Sequence, residues 1–281
     1  MVAKGSFSAD SHIVKIHPTA LVNSNAEIAS DVEIGPYACI DGKAIIGAGC
    51  VIQAHAILAG KVTIGENCII GYGAIIGAEP QDRAFHPGIH SEVIIGDNNR
   101  FREYCTVHRG TAEGSATRVG NDNYFMAGTH LGHNSTVGNH VTIANSVLLA
   151  GHVEVQDHAY IGGGSGFHQH IRVGEAAIAQ GNSGFDKDIP PFTIAAIRNS
   201  IIGLNVVGLR NAGYSADDRA DIKKAFKLLY MRGLNTTQAL ERSRQMQWSK
   251  GGQIFFDFVA SAKKRGICDM RESKVSNMEL D

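Results

Sequence analysis

The sequence is poor in aromatics, in proline and in net charge. Aromatic residues make up 7% of 281, with a single Trp, and there are six prolines. A broad globular core filled by large rings is therefore not expected. Twenty-six Lys and Arg against twenty-seven Asp and Glu leave a formal charge of −1. No global field recruits nucleic acid, and an acidic partner must be met by a local basic patch. No stretch approaches the ~18 continuous apolar residues of a membrane-spanning helix. Met1 to Asp10 carries neither a basic leader nor an apolar run, so a cytoplasmic protein without a transmembrane segment is expected. Five cysteines, an odd number without CxxC pairing, fit reduced thiols better than a disulfide framework.

What the chain does have is glycine, 33 residues of it, and a six-residue rhythm. Steps of six from Ile16 land on Val22, Ile28, Ile34, Ile40, Ile46, Ile52, Leu58, Ile64, Ile70 and Ile76. A second run goes from Val119 through Phe125, Leu131, Val137, Ile143, Leu149, Val155, Ile161, Phe167 and Val173 to Ala179. The residue four places later is usually small, as at Ala38, Ala44, Cys50, Ala56, Cys68 and Ala74, and the residue just after is often Gly. Side chains alternate faces along a strand, so both positions of each hexad point inward on one short strand. A short strand, then a corner, repeated three times, closes a triangular coil of eighteen residues. The expected fold is a β-solenoid, a parallel β-helix of hexapeptide repeats.

Two stretches break the rhythm, Glu79 to Val93 and Gly110 to Arg118, and read as loops extruded from the coils. Pro190-Pro191 is read as the end of the array. Helical patterning follows, with a Ser215/Asp218 capping box opening a helix through Leu229 and shorter helices near Thr237–Met246 and Phe255–Ala262. The expected division is an N-terminal extension over 1–13, the β-helix over 14–191, an α-helical domain over 192–268 and a polar, frayed tail over 269–281.

Residues eighteen apart should stack in columns. His133, Gly151 and Gln169 form one, and Asn134, His152 and His170 the next, with His130 across a corner from His133. This gathers several imidazoles, an amide and a bare glycine backbone into one patch. Histidine titrates near working pH and suits a general base. Cys50, Cys68 and Cys105 fall at the small inward position and read as packing, as do Ser135 and Ser165. A substrate hydroxyl or amine attacking directly, with His133 as base, is favoured over an acyl-enzyme. His140 and His158 form a separate pair, but a metal site needs a third ligand, so no metal is expected. Gly162-Gly163-Gly164 reads as tight corners, because no helix follows it. Lys223, Lys224 and Lys227 give one helix a basic face.

The chain resembles the hexapeptide-repeat acyltransferases, whose coils wind left-handed. Within them it is similar to the acyl-carrier-protein-dependent UDP-N-acetylglucosamine O-acyltransferases of lipid A synthesis. The stretches that carry this are IGAEPQD (76–82), IGDNNRFREYCTVHRGT (95–111), HLGHNSTVGN (130–139), LLAGHV (148–153), GFHQH (166–170) and DIPPF (188–192). The resemblance implies a homotrimer and transfer of a 3-hydroxyacyl chain from acyl-carrier protein to the sugar 3-hydroxyl, with no cofactor. It assigns His133 as general base, Asn134 as its orienting neighbour and Gly151 N–H as oxyanion donor. Asp82, His130, His152, Gln169 and Asn205 match substrate-binding positions, and Gly181 the position that limits acyl length. Three departures stand out. Asn134 replaces an aspartate, Ala84 a lysine, and Asn211 and Ala212 two basic residues. Rival readings are an N-acyltransferase acting on a 3-amino UDP-sugar, a non-catalytic sugar-nucleotide-binding solenoid, and a zinc-dependent hydratase.

Overall fold

The computed structural model describes residues 15–270. The extension over 1–13 and the tail beyond Met270 lie outside the described residues. Three sheets of twelve, nine and eight short strands form the walls, and as far as Thr193–Ala196 the pairing is parallel, with each strand's neighbours coming from the coils before and after it. The register of the first sheet shows the stacking directly: Ile34, Ile52, Ile70, Phe101, Phe125, Ile143, Ile161 and Ala179 pair in turn. All of these side chains are buried, together with the small inward residues Ala38, Cys50, Cys68 and Cys105. Each fully buried aliphatic side chain contributes about 1.5–3 kcal/mol, and the stack is one continuous core along the axis.

The eighteen-residue step lengthens twice, where chain without strand separates Ala78 from Glu92 and His108 from Ala116. The corners have their own chemistry. Asn67, Asn98, Asp122, Asn134, His140, His152, His158 and His170 all take positive φ near 60°. Short polar and imidazole side chains tolerate that region better than bulky ones. Corner geometry alone thus explains His140 and His158, which stack at 4.9 Å. No group of three metal-binding side chains occurs among the described residues.

The array does not end at Pro190-Pro191. Thr193–Ala196 adds one more parallel strand, pairing with Ile178–Ala179, and Ser200–Leu204 then turns back antiparallel. The prolines sit beside a corner, where Phe192 N–H resumes bonding to Glu175 carbonyl, so the ladder needs no donor from them. Four helices follow: α1 (Val206–Asn211), α2 (Ala216–Tyr230), α3 (Thr236–Ser243) and α4 (Lys250–Ala260). Asn205, Ser215, Asn235 and Ser249 cap them by accepting a backbone N–H. The six-residue α1 was not anticipated; it is too short to show periodicity. Beyond α4 the chain returns to the solenoid, and Asp269–Met270, at the start of the stretch read as tail, pairs with Ser200–Ile201.

Candidate active site

A cleft of about 890 Å³ opens along the second sheet. Its floor follows one outward column: Thr106, His130, Leu148, Gly166 and Gly184 pair in sequence up the wall. The floor changes from polar to apolar to bare along that line. Leu148 is exposed, and a β-carbon on Gly166 or Gly184 would meet open space.

His133 sits at the inner edge of the cleft, 8% exposed. Its orientation is set by Asn134. The Asn134 Oδ1 accepts a hydrogen bond from Thr111 N–H at 3.0 Å and from the Thr111 hydroxyl at 2.9 Å, and faces His133 Nδ1 at 3.0 Å. A backbone N–H can only donate, so the Asn134 atom it meets must be oxygen. That oxygen in turn requires a donor from the ring, which puts the hydrogen on Nδ1 and leaves the Nε2 lone pair free. Behind this pair, the buried Thr117 hydroxyl accepts Asn134 N–H at 2.8 Å and donates to His108 carbonyl at 2.6 Å. The corner that carries the histidine is therefore tied down on both sides.

Gly151 lies one coil above, as the column requires. A β-carbon there would overlap the His133 ring at Cε1 and Nε2, so only glycine lets the imidazole occupy this place. Neighbouring backbone groups bond between coils, for instance His152 N–H to His133 carbonyl at 2.9 Å. Gly151 N–H makes no such bond among the described residues.

Around this centre the imidazoles are held neutral. His130 Nδ1 meets Thr106 Oγ1 at 2.8 Å, and burial, followed by the neighbouring His133, lowers its pKa. His108, packed edge-on against His130 at 4.9 Å, is pushed down to about 4, mainly by burial. His152 stands edge-on to His133 at 5.2 Å and stacks on His170 at 4.5 Å; burial, then His170, His133 and Lys263, lower its pKa. A neutral imidazole can accept or donate as the substrate demands.

Of the residues singled out in the sequence, His130, His133, Gly151 and Gln169 line the cleft, and Asn134 and His152 adjoin it. Asp82 lies on the exposed loop, where its carboxylate accepts Ala84 N–H at 2.9 Å; the adjacent Gln81 is the loop residue that lines the cleft. Asn205 is buried, accepting Gly208 N–H and donating to Ala176 carbonyl, both at 2.8 Å. Gly181 packs over Gly163, outside the cleft lining. His108 and Thr111 were missed. Counting by eighteen fails there, because the break in rhythm makes the step from Thr106 to His130 twenty-four. The motif CTVHRGT was visible; its spacing to HLGH was not.

Comparison with known proteins agrees with this geometry. The bacterial transferase hexapeptide model matches residues 43–78 and 116–151. A model described as UDP-N-acetylglucosamine O-acyltransferase, domain 2, matches residues 188–268. An acyl-[acyl-carrier-protein]–UDP-N-acetylglucosamine O-acyltransferase of Burkholderia lata is 42% identical over 91% of this chain and 99% of its own. One from Stenotrophomonas maltophilia is 39% identical over 89% and 96%. Among solved structures, the Francisella novicida UDP-N-acetylglucosamine acyltransferase superposes with a TM-score of 0.88, at 33% identity, over 95% of this chain and all of that one. The winding is thus that of the left-handed parallel β-helix. Identity at this level over nearly the whole length of the relatives leaves one assignment: the chain belongs to the acyl-[acyl-carrier-protein]–UDP-N-acetylglucosamine O-acyltransferase family.

Proposed function

We propose that this protein transfers a 3-hydroxyacyl chain from acyl-carrier protein to the 3-hydroxyl of UDP-N-acetylglucosamine, the first step of lipid A synthesis, in the cytoplasm. The observation that carries this reading is the pairing of His133 with Gly151. One ring nitrogen is pinned as a donor to Asn134, and the other is left basic beside a glycine whose N–H is uncommitted.

The chemistry then needs no cofactor from this chain. His133 Nε2 accepts the sugar 3-hydroxyl proton as that oxygen attacks the thioester carbonyl. Gly151 N–H donates to the tetrahedral oxyanion, a contribution of ~3–4 kcal/mol when such a donor is preorganised. The C–S bond breaks, and imidazolium returns its proton to the departing thiolate. Asn134 orients the base, and Thr111 holds Asn134 by two donors. His130, His152, Gln169, Asp82 and Asn205 contact substrate, and the acyl chain lies along the Leu148–Gly166–Gly184 floor, with Gly181 limiting its reach.

The chain acts as a homotrimer. Support comes from the first sheet, whose outward column runs Val51, Ile69, Arg100, Tyr124, Thr142, Tyr160 and Ile178, apolar or aromatic at five of these seven positions, and suits packing against another copy. In that arrangement Asp82 and Asn205 serve a cleft between neighbouring prisms. Carrier protein meets α2 and α3, where Lys223, Lys224, Lys227, Arg232 and Arg242 surround an apolar floor of Leu228, Leu234 and Met246. Among the described residues no helix is long and apolar enough to cross a membrane.

Transfer to a 3-amino UDP-sugar gains no support from the relatives, which are named as O-acyltransferases. A mass-spectrometric assay offering both acceptors with carrier proteins of graded acyl length tests the reading. Product is expected on UDP-N-acetylglucosamine. Product on the amino sugar alone, or none with any carrier, contradicts it.

A further inference from the structure

The charges of the cleft do not match the charge of a sugar nucleotide. Arg198 is the one Lys or Arg among the lining residues, and it is spent on Asp186 at 3.2 Å. The transfer reading brings two phosphoester groups to this place, the diphosphate of the acceptor and the phosphodiester of the carrier's prosthetic arm. Anions of that kind need cations that are not already paired.

Such cations dock on the coil above the one that carries His170. Lys263, Lys264 and Arg265 are consecutive and exposed, and none makes an ion pair among the described residues. Their backbone is fixed. Lys263 carbonyl accepts Gly266 N–H at 2.8 Å, with Gly266 at φ +71°; Gly266 carbonyl accepts Asp188 N–H at 3.0 Å; Asp188 carbonyl accepts Cys268 N–H at 2.8 Å. The last coil is two residues short, with Val173 pairing with Ile189, so Asp188 stands one coil above Arg172, whose N–H its carboxylate accepts at 2.9 Å, and the turn docks two residues along from the His170 corner. The two ends of the turn reach the site electrostatically: Lys263 is among the charges acting on His152, and Arg265 among those acting on Asp186.

A second clamp keeps the turn in place. The Arg172 guanidinium binds Asp188 Oδ2 at 2.7 and 2.8 Å, Ser261 Oγ at 2.9 Å and Phe258 carbonyl at 3.1 Å, and lies over the Phe258 ring. The three cations are thus held on a buried support, unlike lysines on a free loop.

We propose that the turn Lys263–Gly266, with His152 and His170 beside it, is the subsite for a phosphoester anion of the substrates. It supplies the positive charge absent at Ala84, Asn211 and Ala212. The proposal rests on the transfer reading and is tested within it. Lys263→Gln, Arg265→Gln and a Lys263→Glu/Lys264→Glu/Arg265→Glu variant are compared with wild type in the transfer assay, with KM measured separately for UDP-N-acetylglucosamine and for acyl-carrier protein.

The expected result is a KM raised about threefold to tenfold per charge removed, with kcat within about twofold, and an effect that shrinks as salt is added. A rise confined to the nucleotide identifies the diphosphate as the ligand, and one confined to the carrier identifies its phosphodiester. Unchanged KM for both in a charge-reversed variant of wild-type melting temperature overturns the subsite. If charge reversal costs the fold, the two neutral single variants decide by the same criterion. Failure of the wild type to transfer at all is a different result, and sinks the function reading instead.

Discussion

At the scale of single residues, the site is organised by one amide oxygen that collects three donors: Thr111 N–H, the Thr111 hydroxyl and His133 Nδ1–H. Three donors on one oxygen suit a carboxylate better than an amide, and Asn134 is the position where the resemblance led to an aspartate. Asn134→Asp is therefore expected to fit without rearrangement and to favour imidazolium. The acid limb of kcat/KM against pH should move up by about one unit or more. Superimposable profiles for the two proteins would contradict this role. His108 makes a different point. Its pKa is depressed to about 4 by burial, so in the folded state it remains neutral while the unfolded chain takes up a proton. Stability from this group is full above the unfolded value near 6.5 and falls as pH drops toward 4. His108→Gln should flatten the melting-temperature loss over that window, and an unchanged slope would exclude His108 as its source.

At the scale of elements, most of the solenoid was legible because its period is enforced by packing. Each hexad must place an aliphatic and a small residue inside a narrow prism, so Ile52, Ile70 and Ile143 announce their positions in the sequence. The columns at His133/Gly151 and His152/His170 followed from that period. What escaped was wherever the period breaks. His108 and Thr111 sit at the second extruded loop, the strand at Thr193–Ala196 lies past two prolines, and the helix at Val206–Asn211 is too short for a pattern. Those positions depend on contacts between distant segments, which a local rhythm does not encode. The junction of solenoid and helices is one such contact. Arg172 and Asp188, with side chains 14% and 6% exposed, join the last coils to α4. Arg172→Ala would leave a buried carboxylate unpaired and should cost about 3–5 kcal/mol, read as a lowered denaturation midpoint. Arg172→Lys should recover little, since an ammonium cannot span the same four partners. A loss under about 1 kcal/mol would show that the junction is held elsewhere.

At the scale of the whole molecule, a rigid prism with a helical cap presents one chemical strip. His133, the Gly151 backbone, the neighbouring imidazoles and the Leu148–Gly166–Gly184 floor line one cleft, in register by coils. Stacking does the positioning that loops and lids do in other enzymes. On the proposed reading, His133 is the proton acceptor of that strip. Single-turnover transfer by His133→Ala, measured beside its melting temperature, tests it most directly. The expected outcome is a rate lower by about a hundredfold to ten-thousandfold with the melting temperature nearly unchanged. Transfer at close to the wild-type rate by a folded His133→Ala protein would contradict the account.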